Sequence, residues 1–180
     1  MISLDLPLLK KERSSLQAGQ DVLLSGRIYT ARDMAHKRLV EMLNRGAALP
    51  ITLKDEILYY CGPTPPRPGM VIGACGPTTS SRMDLFTIPL LEQGLAGMIG
   101  KGDRSPEVRR AIKRFGAVYF IATGGAGALL SRKVRRMAVT AFRDLGTEAI
   151  HELIIEDFPV TVAIDSKGRS VYEKLKKKDK

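Results

Sequence analysis

Tryptophan is absent and aromatic residues make up only 6% of the 180-residue chain, so any hydrophobic core must be built mainly from aliphatic side chains. There are two cysteines, Cys61 and Cys75, each inside a short apolar run. That number supplies no disulfide framework for a chain of this size. Nor do two thiols make a metal centre that needs three or four cysteines, and small buried core residues are the simplest reading of both. No apolar run approaches the ~20 residues needed to cross a bilayer. The opening MISLDLPLLKKERSS lacks a signal-peptide pattern, so a soluble, cytoplasmic protein is expected. Histidine is scarce as well, with two in the chain.

What is present is apolar material and positive charge. The 44% hydrophobic content is enough for a real core, and the length suits one domain spanning 1–180. Residues 1–20 read as an N-terminal arm, and residues 173–180 as a basic tail. The net charge is +10, of which the stretch Tyr172 to Lys180 accounts for +3. A cationic surplus points to anionic partners but does not choose the anion. It would suit a nucleic-acid-binding domain, yet no Arg/Lys stretch is interleaved with aromatics as in single-strand binders.

Along the chain, Asp21 to Thr30 reads as a strand, Ala31 to Arg45 as a helix stopped by Gly46, and Ile57 to Cys61 as a strand. The proline-dense segment 62–69 can be neither helix nor central strand and reads as a surface loop. Met70 to Cys75 reads as a buried strand. An irregular helix is expected from about Ser81 to Met98, and a second from Arg104 to Phe115 with Ser105 as its cap. Ala117 to Thr123 reads as a strand, followed by a glycine-rich turn and a helix to about Arg143. Two closing strands, Ala149 to Glu156 and Val160 to Asp165, complete the pattern. Strands alternating with helices predict a layered α/β fold with a mixed sheet.

Three strand-to-helix transitions place small or hydroxylated residues and a cation where backbone N–H groups are free to hold an anion. They are Thr30 to Lys37, Gly76 to Asp84, and Gly100-Lys101-Gly102-Asp103. Singly, each has a plain explanation as a solvated helix face, a hydroxyl-rich cap or a turn. Together, Arg32, Arg82 and Lys101 could share one rim of a sheet, with Thr78 to Ser81 beside them. That combination suits a small dicarboxylate, because arginine binds carboxylates in a bidentate fork. Gly124 to Gly127 looks like a phosphate cradle. It matches neither a dinucleotide nor a Walker pattern, and a packing turn is the expected alternative.

The segment Gly76-Pro77-Thr78-Thr79-Ser80-Ser81-Arg82-Met83-Asp84 resembles a signature of the β subunit, or C-terminal β domain, of class I iron–sulfur fumarases and L-tartrate dehydratases. Ser25-Gly26, Thr30 to His36, Gly100-Lys101-Gly102 and Gly124 to Ala128 match in the same order, so the resemblance covers nearly the whole chain. It implies a swivelling β/β/α-type domain and a hydro-lyase that reversibly hydrates fumarate to malate, or else dehydrates tartrate. It implies Thr78 as the proton-abstracting base, Arg32, Arg82 and Lys101 as carboxylate-binding groups, and His36, Thr79 and Asp84 as supporting residues. It further implies a [4Fe–4S] cluster held by a separate α subunit, no metal ligand in this chain, and an αβ or α2β2 assembly. Asp103 stands where some fumarases carry Asn, and Ser81 where Gly often precedes the arginine.

Overall fold

The strand expected at residues 21–30 organises the whole molecule. The computed structural model describes residues 1–122 and 126–176. In it β2 (Asp21–Thr30) lies parallel both to β1 (Ile2–Asp5) and to β3 (Ile57–Tyr59). Parallel pairing continues through β4 (Gly97–Gly100) to β5 (Val118–Ile121). The long strand β7 (Ile150–Ile164) then runs antiparallel to β5 and also pairs with β2, closing the sheet on itself. Strand β6 (Val134–Ala141) adds to the free side of β7. The result is a mixed, barrel-like sheet with flanking helices.

The two faces of that sheet follow the two-residue period of a strand. Tyr59, Val118 and Phe120 pack into an inner cluster with Leu24, Ile28, Phe158 and Leu8. Their neighbours Leu58, Tyr60 and Tyr119 turn the other way, into a second cluster with Leu39, Leu90 and Ile112. Those last three come from α2 (Asp33–Asn44), α3 (Asp84–Glu92) and α4 (Pro106–Phe115). Although aromatics are few, Tyr59, Tyr60, Tyr119, Phe120 and Phe158 are the bulkiest fully buried side chains, so the sparse rings are concentrated where volume is needed. Helix α4 starts and stops as its sequence dictates. Ser105 Oγ accepts from Val108 N at 3.2 Å, Pro106 opens the first turn, and Gly116 ends the helix in the left-handed region.

Several expectations fail, each for a tertiary reason. Met70 to Cys75 is not a strand. It folds back on the proline loop, where Thr64, the one residue of the 63–66 run with an N–H, bonds Ala74 O and accepts from Gly73 N. The helix expected to reach Met98 ends at Glu92, and the buried segment Gly97 to Gly100 becomes a central strand. Helix α5 (Gly127–Ser131) lasts five residues, after which the chain pairs with β7 instead of continuing as a helix to Arg143. The two closing strands are one. Asp157 takes a positive φ of 49° and Pro159 faces Leu23, so the strand bends without breaking. In the N-terminal arm a short helix, α1 (Lys10–Ser15), follows β1, and near the other end α6 (Val171–Lys176) occupies the start of the basic tail. Residues 177–180 lie outside the described residues. Among the described residues no helix is long and apolar enough to cross a membrane.

Candidate active site

Strands β2, β3 and β4 are adjacent and parallel, so their carboxyl ends open on the same edge of the sheet. Such edges are where α/β sheets bind ligands. The three candidate transitions read from the sequence all leave from, or dock onto, that edge. Arg32 follows β2, Lys101 follows β4, and the Thr78 turn is fastened between β3 and β4.

The fastening is a short ladder. Thr78 N donates to Tyr60 O at 2.6 Å, Lys101 N donates to Thr78 O at 3.3 Å, and Ser80 N donates to Lys101 O at 2.9 Å. Thr79 and Lys101 thereby form a parallel bridge outside the main sheet. Gly100 is required here, because a β-carbon on it would overlap Ser80 Oγ. Thr78 is half-buried, and Thr79 and Lys101 are exposed. Among the described residues neither Thr78 Oγ1 nor Lys101 Nζ has a hydrogen-bond or ion-pair partner, which leaves both available to a ligand.

The two arginines meet through an acid the sequence reading assigned no role. Asp33 takes Arg82 in a bidentate fork, Nε to Oδ1 at 2.9 Å and Nη2 to Oδ2 at 3.0 Å, and lies 3.8 Å from Arg32 Nε. Arg32 Nη2 also reaches Glu148 Oε1 at 3.4 Å. Glu148 ends a 3-10 turn, Arg143–Glu148, whose other acid, Asp144, holds Arg38. Arg32 packs against Gly62, where a β-carbon would crowd its guanidinium. The three cations read from the sequence thus lie at one edge, and two of them are held there by carboxylates that the sequence pattern did not single out. Asp33 sat within the quoted motif and Glu148 more than a hundred residues from it, so only Asp33 carried a readable signal.

His36 is fully buried under this arrangement. Both its backbone N and its Nδ1 donate to Arg32 O, each at 2.9 Å, so Nδ1 carries a proton. Its Nε2 has no partner among the described residues. Burial lowers the pKa to about 4, against the support of the Arg32 carbonyl. An unfolded histidine binds a proton near pH 6.5, well before the folded one does. The unfolded state thus takes up more protons as pH falls, and stability is lost between about pH 6.5 and 4. The expected loss from this group is about 3 kcal/mol across that window. Urea denaturation at pH 7 and pH 4.5 should show a smaller difference for His36→Gln than for the parent chain; an equal difference would contradict the assignment.

Asp84 faces inward. Its Oδ1 accepts from Arg104 Nε at 2.6 Å and its Oδ2 from Ser105 N at 2.8 Å. Arg104 was read only as the start of a helix, yet its side chain is wholly buried. The guanidinium lies over the rings of both Tyr60 and Tyr119, 5.3 and 5.0 Å from their centroids, and donates to Thr87 Oγ1 at 2.6 Å. Asp103 makes a local turn, its Oδ1 accepting from Arg104 N at 2.8 Å.

The cysteines do not fit a metal centre. Both are buried, burial pushes the Cys75 thiol up to about 12, and Cys61 is raised further by burial and by Cys75. Metal ligation needs thiolates. Among the described residues no three His, Cys, Asp or Glu groups are placed to hold a metal ion. Of the glycine-rich turn, Gly124 and Gly125 lie outside the described residues. Gly127 packs against Gly76, and its carbonyl accepts from Cys75 N at 3.3 Å, as a packing turn would.

Comparison with known proteins finds relatives that cover most of the chain. The family profile described as Fumarase C-terminus matches residues 1–175. A Methanocaldococcus jannaschii protein, provisionally named L(+)-tartrate dehydratase subunit beta, is 39% identical over 177 residues, covering 95% of this chain and 91% of its own. Fumarate hydratase 2 of Leishmania major is 34% identical over 168 residues, and the aerobic class I fumarate hydratase of Salmonella typhimurium 38% over 154. These matches take in 92% and 84% of this chain but only 30% and 27% of the two fumarate hydratases.

Proposed function

The chain belongs to the Fumarase C-terminus family, and we propose that it is the β subunit of a two-subunit hydro-lyase that interconverts fumarate and malate. The observation that carries this reading is the convergence of Arg32, Arg82, Lys101 and Thr78 on one sheet edge. A dicarboxylate needs two cationic clamps, and dehydration of malate needs a base beside one of them. The cations would bind the substrate carboxylates and stabilise the negative charge that grows as the proton beside a carboxylate leaves. Thr78 Oγ1 would take that proton. A threonine hydroxyl accepts a proton only as its alkoxide, a form that neighbouring cations favour. Asp33 would keep Arg32 and Arg82 at a fixed separation, and His36 would hold the Arg32 backbone.

The whole-chain match to a β subunit supports an α partner, in an αβ or α2β2 assembly. Since the residues here do not fit a [4Fe–4S] cluster, such a cluster would be the partner's, and when bound it would supply the Lewis acid that takes up the departing hydroxyl. Met34 and Leu85 are exposed one and three residues beyond Asp33 and Arg82. They give the rim an apolar surface suited to a covering subunit. The same match favours a second substrate reading, tartrate to oxaloacetate, by the same clamp and base.

The test is to co-express the chain with its α partner under anaerobic conditions and to supply malate and tartrate separately. Fumarate formed from malate supports the first reading. Oxaloacetate formed from tartrate alone keeps the mechanism and changes the substrate. No turnover of either by an intact assembly would overturn the proposal.

A further inference from the structure

The base-bearing turn and the lysine-bearing turn are separate loops, and one buried hydroxyl joins them. Tyr119 OH donates to Gly102 O at 2.7 Å and is 2.8 Å from Ser80 Oγ. A carbonyl can only accept, so the tyrosine proton goes to Gly102 and the serine proton to the tyrosine oxygen. One phenol thus grips the residue after Lys101 and the residue two after Thr78. Its ring cannot swing away. Tyr119 lies in β5, fully buried, with the Arg104 guanidinium over its ring and over that of Tyr60. Tyr60 in turn gives its carbonyl to Thr78 N. The brace is therefore continuous: β5 through Tyr119 to both turns, and β3 through Tyr60 to the same threonine.

We propose that Tyr119, braced by Arg104, is a positioning residue that sets the separation of Thr78 from Lys101. It does not touch substrate. Its effect is geometric: the ladder bonds between the turns include a long one, Lys101 N to Thr78 O at 3.3 Å, and the phenol is the side-chain tie that keeps the two loops in register. Gly100 allows the serine to come this close to the strand. The inference rests on the proposed function for its catalytic consequence, though not for the coupling of the two turns.

Tyr119→Phe removes the hydroxyl and keeps the ring and its stacking on Arg104. Amide hydrogen exchange of the full chain should speed up in both turns, at Thr78 and Ser80 and at Lys101. Acceleration in neither turn, or in one alone, overturns the coupling. In the assembled enzyme, assayed well below the variant's unfolding temperature, kcat should fall about ten- to a hundredfold, since displacements of about 1 Å cost on that scale. Substrate KM should move much less than kcat. A kcat within twofold of the parent overturns the positioning role, as does a deficit that disappears on cooling in step with the folded fraction. Should the parent assembly turn over neither diacid, the functional reading fails and the exchange result still decides the coupling. If Tyr119→Phe does not fold, Ser80→Ala removes the other hydroxyl of the tie and is expected to loosen the Thr78 turn; unchanged exchange there overturns the inference.

Discussion

Arg82→Ala should lower turnover by the assembled enzyme about 10²–10³-fold, the usual cost of removing one group that stabilises charge in the transition state. It should leave the fold almost untouched. The Arg82 side chain is 52% exposed and its partner Asp33 27%, so their bidentate pair is worth little to stability. Thermal unfolding should change by less than about 1 kcal/mol. Arg82→Lys should recover only part of the activity, because an ammonium cannot reproduce the planar fork that Asp33 and a carboxylate both use. Steady-state kinetics of the three proteins, beside their melting curves, check this. Turnover of Arg82→Ala within threefold of the parent would remove Arg82 from the site.

Asp84→Ala should do the reverse, striking stability first. The carboxylate is the ionic partner of a guanidinium with no exposed surface, and it also receives the N–H of Ser105 at the start of α4. Without it, Arg104 keeps Thr87, the Tyr60 hydroxyl and two ring faces but loses the carboxylate paired with its Nε. Leaving a buried charge uncompensated costs about 3–5 kcal/mol. In a chain of this size that lowers the melting temperature by roughly 6–20 °C. Removing both partners, as Asp84→Leu with Arg104→Met, should recover much of the loss, since the pair's own net contribution is small beside the penalty of half a pair. Chemical denaturation of the full chain measures all three. A loss below about 1 kcal/mol for Asp84→Ala would mean that water or another group takes over the guanidinium.

The contrast between these two ion pairs separates what the sequence conveys from what it does not. Arg82 and Lys101 stand out because glycines and hydroxyls surround them, and such neighbours leave a local record. Arg104 has none: in Gly102-Asp103-Arg104-Ser105-Pro106 it reads as a charged residue ahead of a capped helix, and nothing nearby announces full burial. Its environment comes from Tyr60 after β3, Asp84 and Thr87 in α3, and Tyr119 in β5, three separate parts of the chain. Asp33 and Glu148 are similar, since the separation of 115 positions between them says nothing about a shared contact with Arg32.

The secondary structure divides in the same way. Strand β2 and helix α4 were legible because alternation, a serine cap, a proline at the first turn and a terminal glycine are local instructions. Strand β4 was not, since a four-residue Gly-Met-Ile-Gly has weak strand preference of its own. It exists because β3 and β5 flank it, with Ile57 and Phe120 closing on Gly97 while Ser80 closes on Gly100. Likewise, β6 is a strand because the long β7 offers it an edge, and residues 70–75 are not a strand because the proline loop takes up their hydrogen bonds. The sequence by itself determined the α/β class, the candidate turns and the family. Only the tertiary structure decided which strands close the barrel, which acids hold the arginines, and that Arg104 and Tyr119 lie beneath the site. The physical reason is that caps, turns and periodicities depend on residues a few positions apart, whereas burial and pairing depend on elements the chain brings together from far along its length.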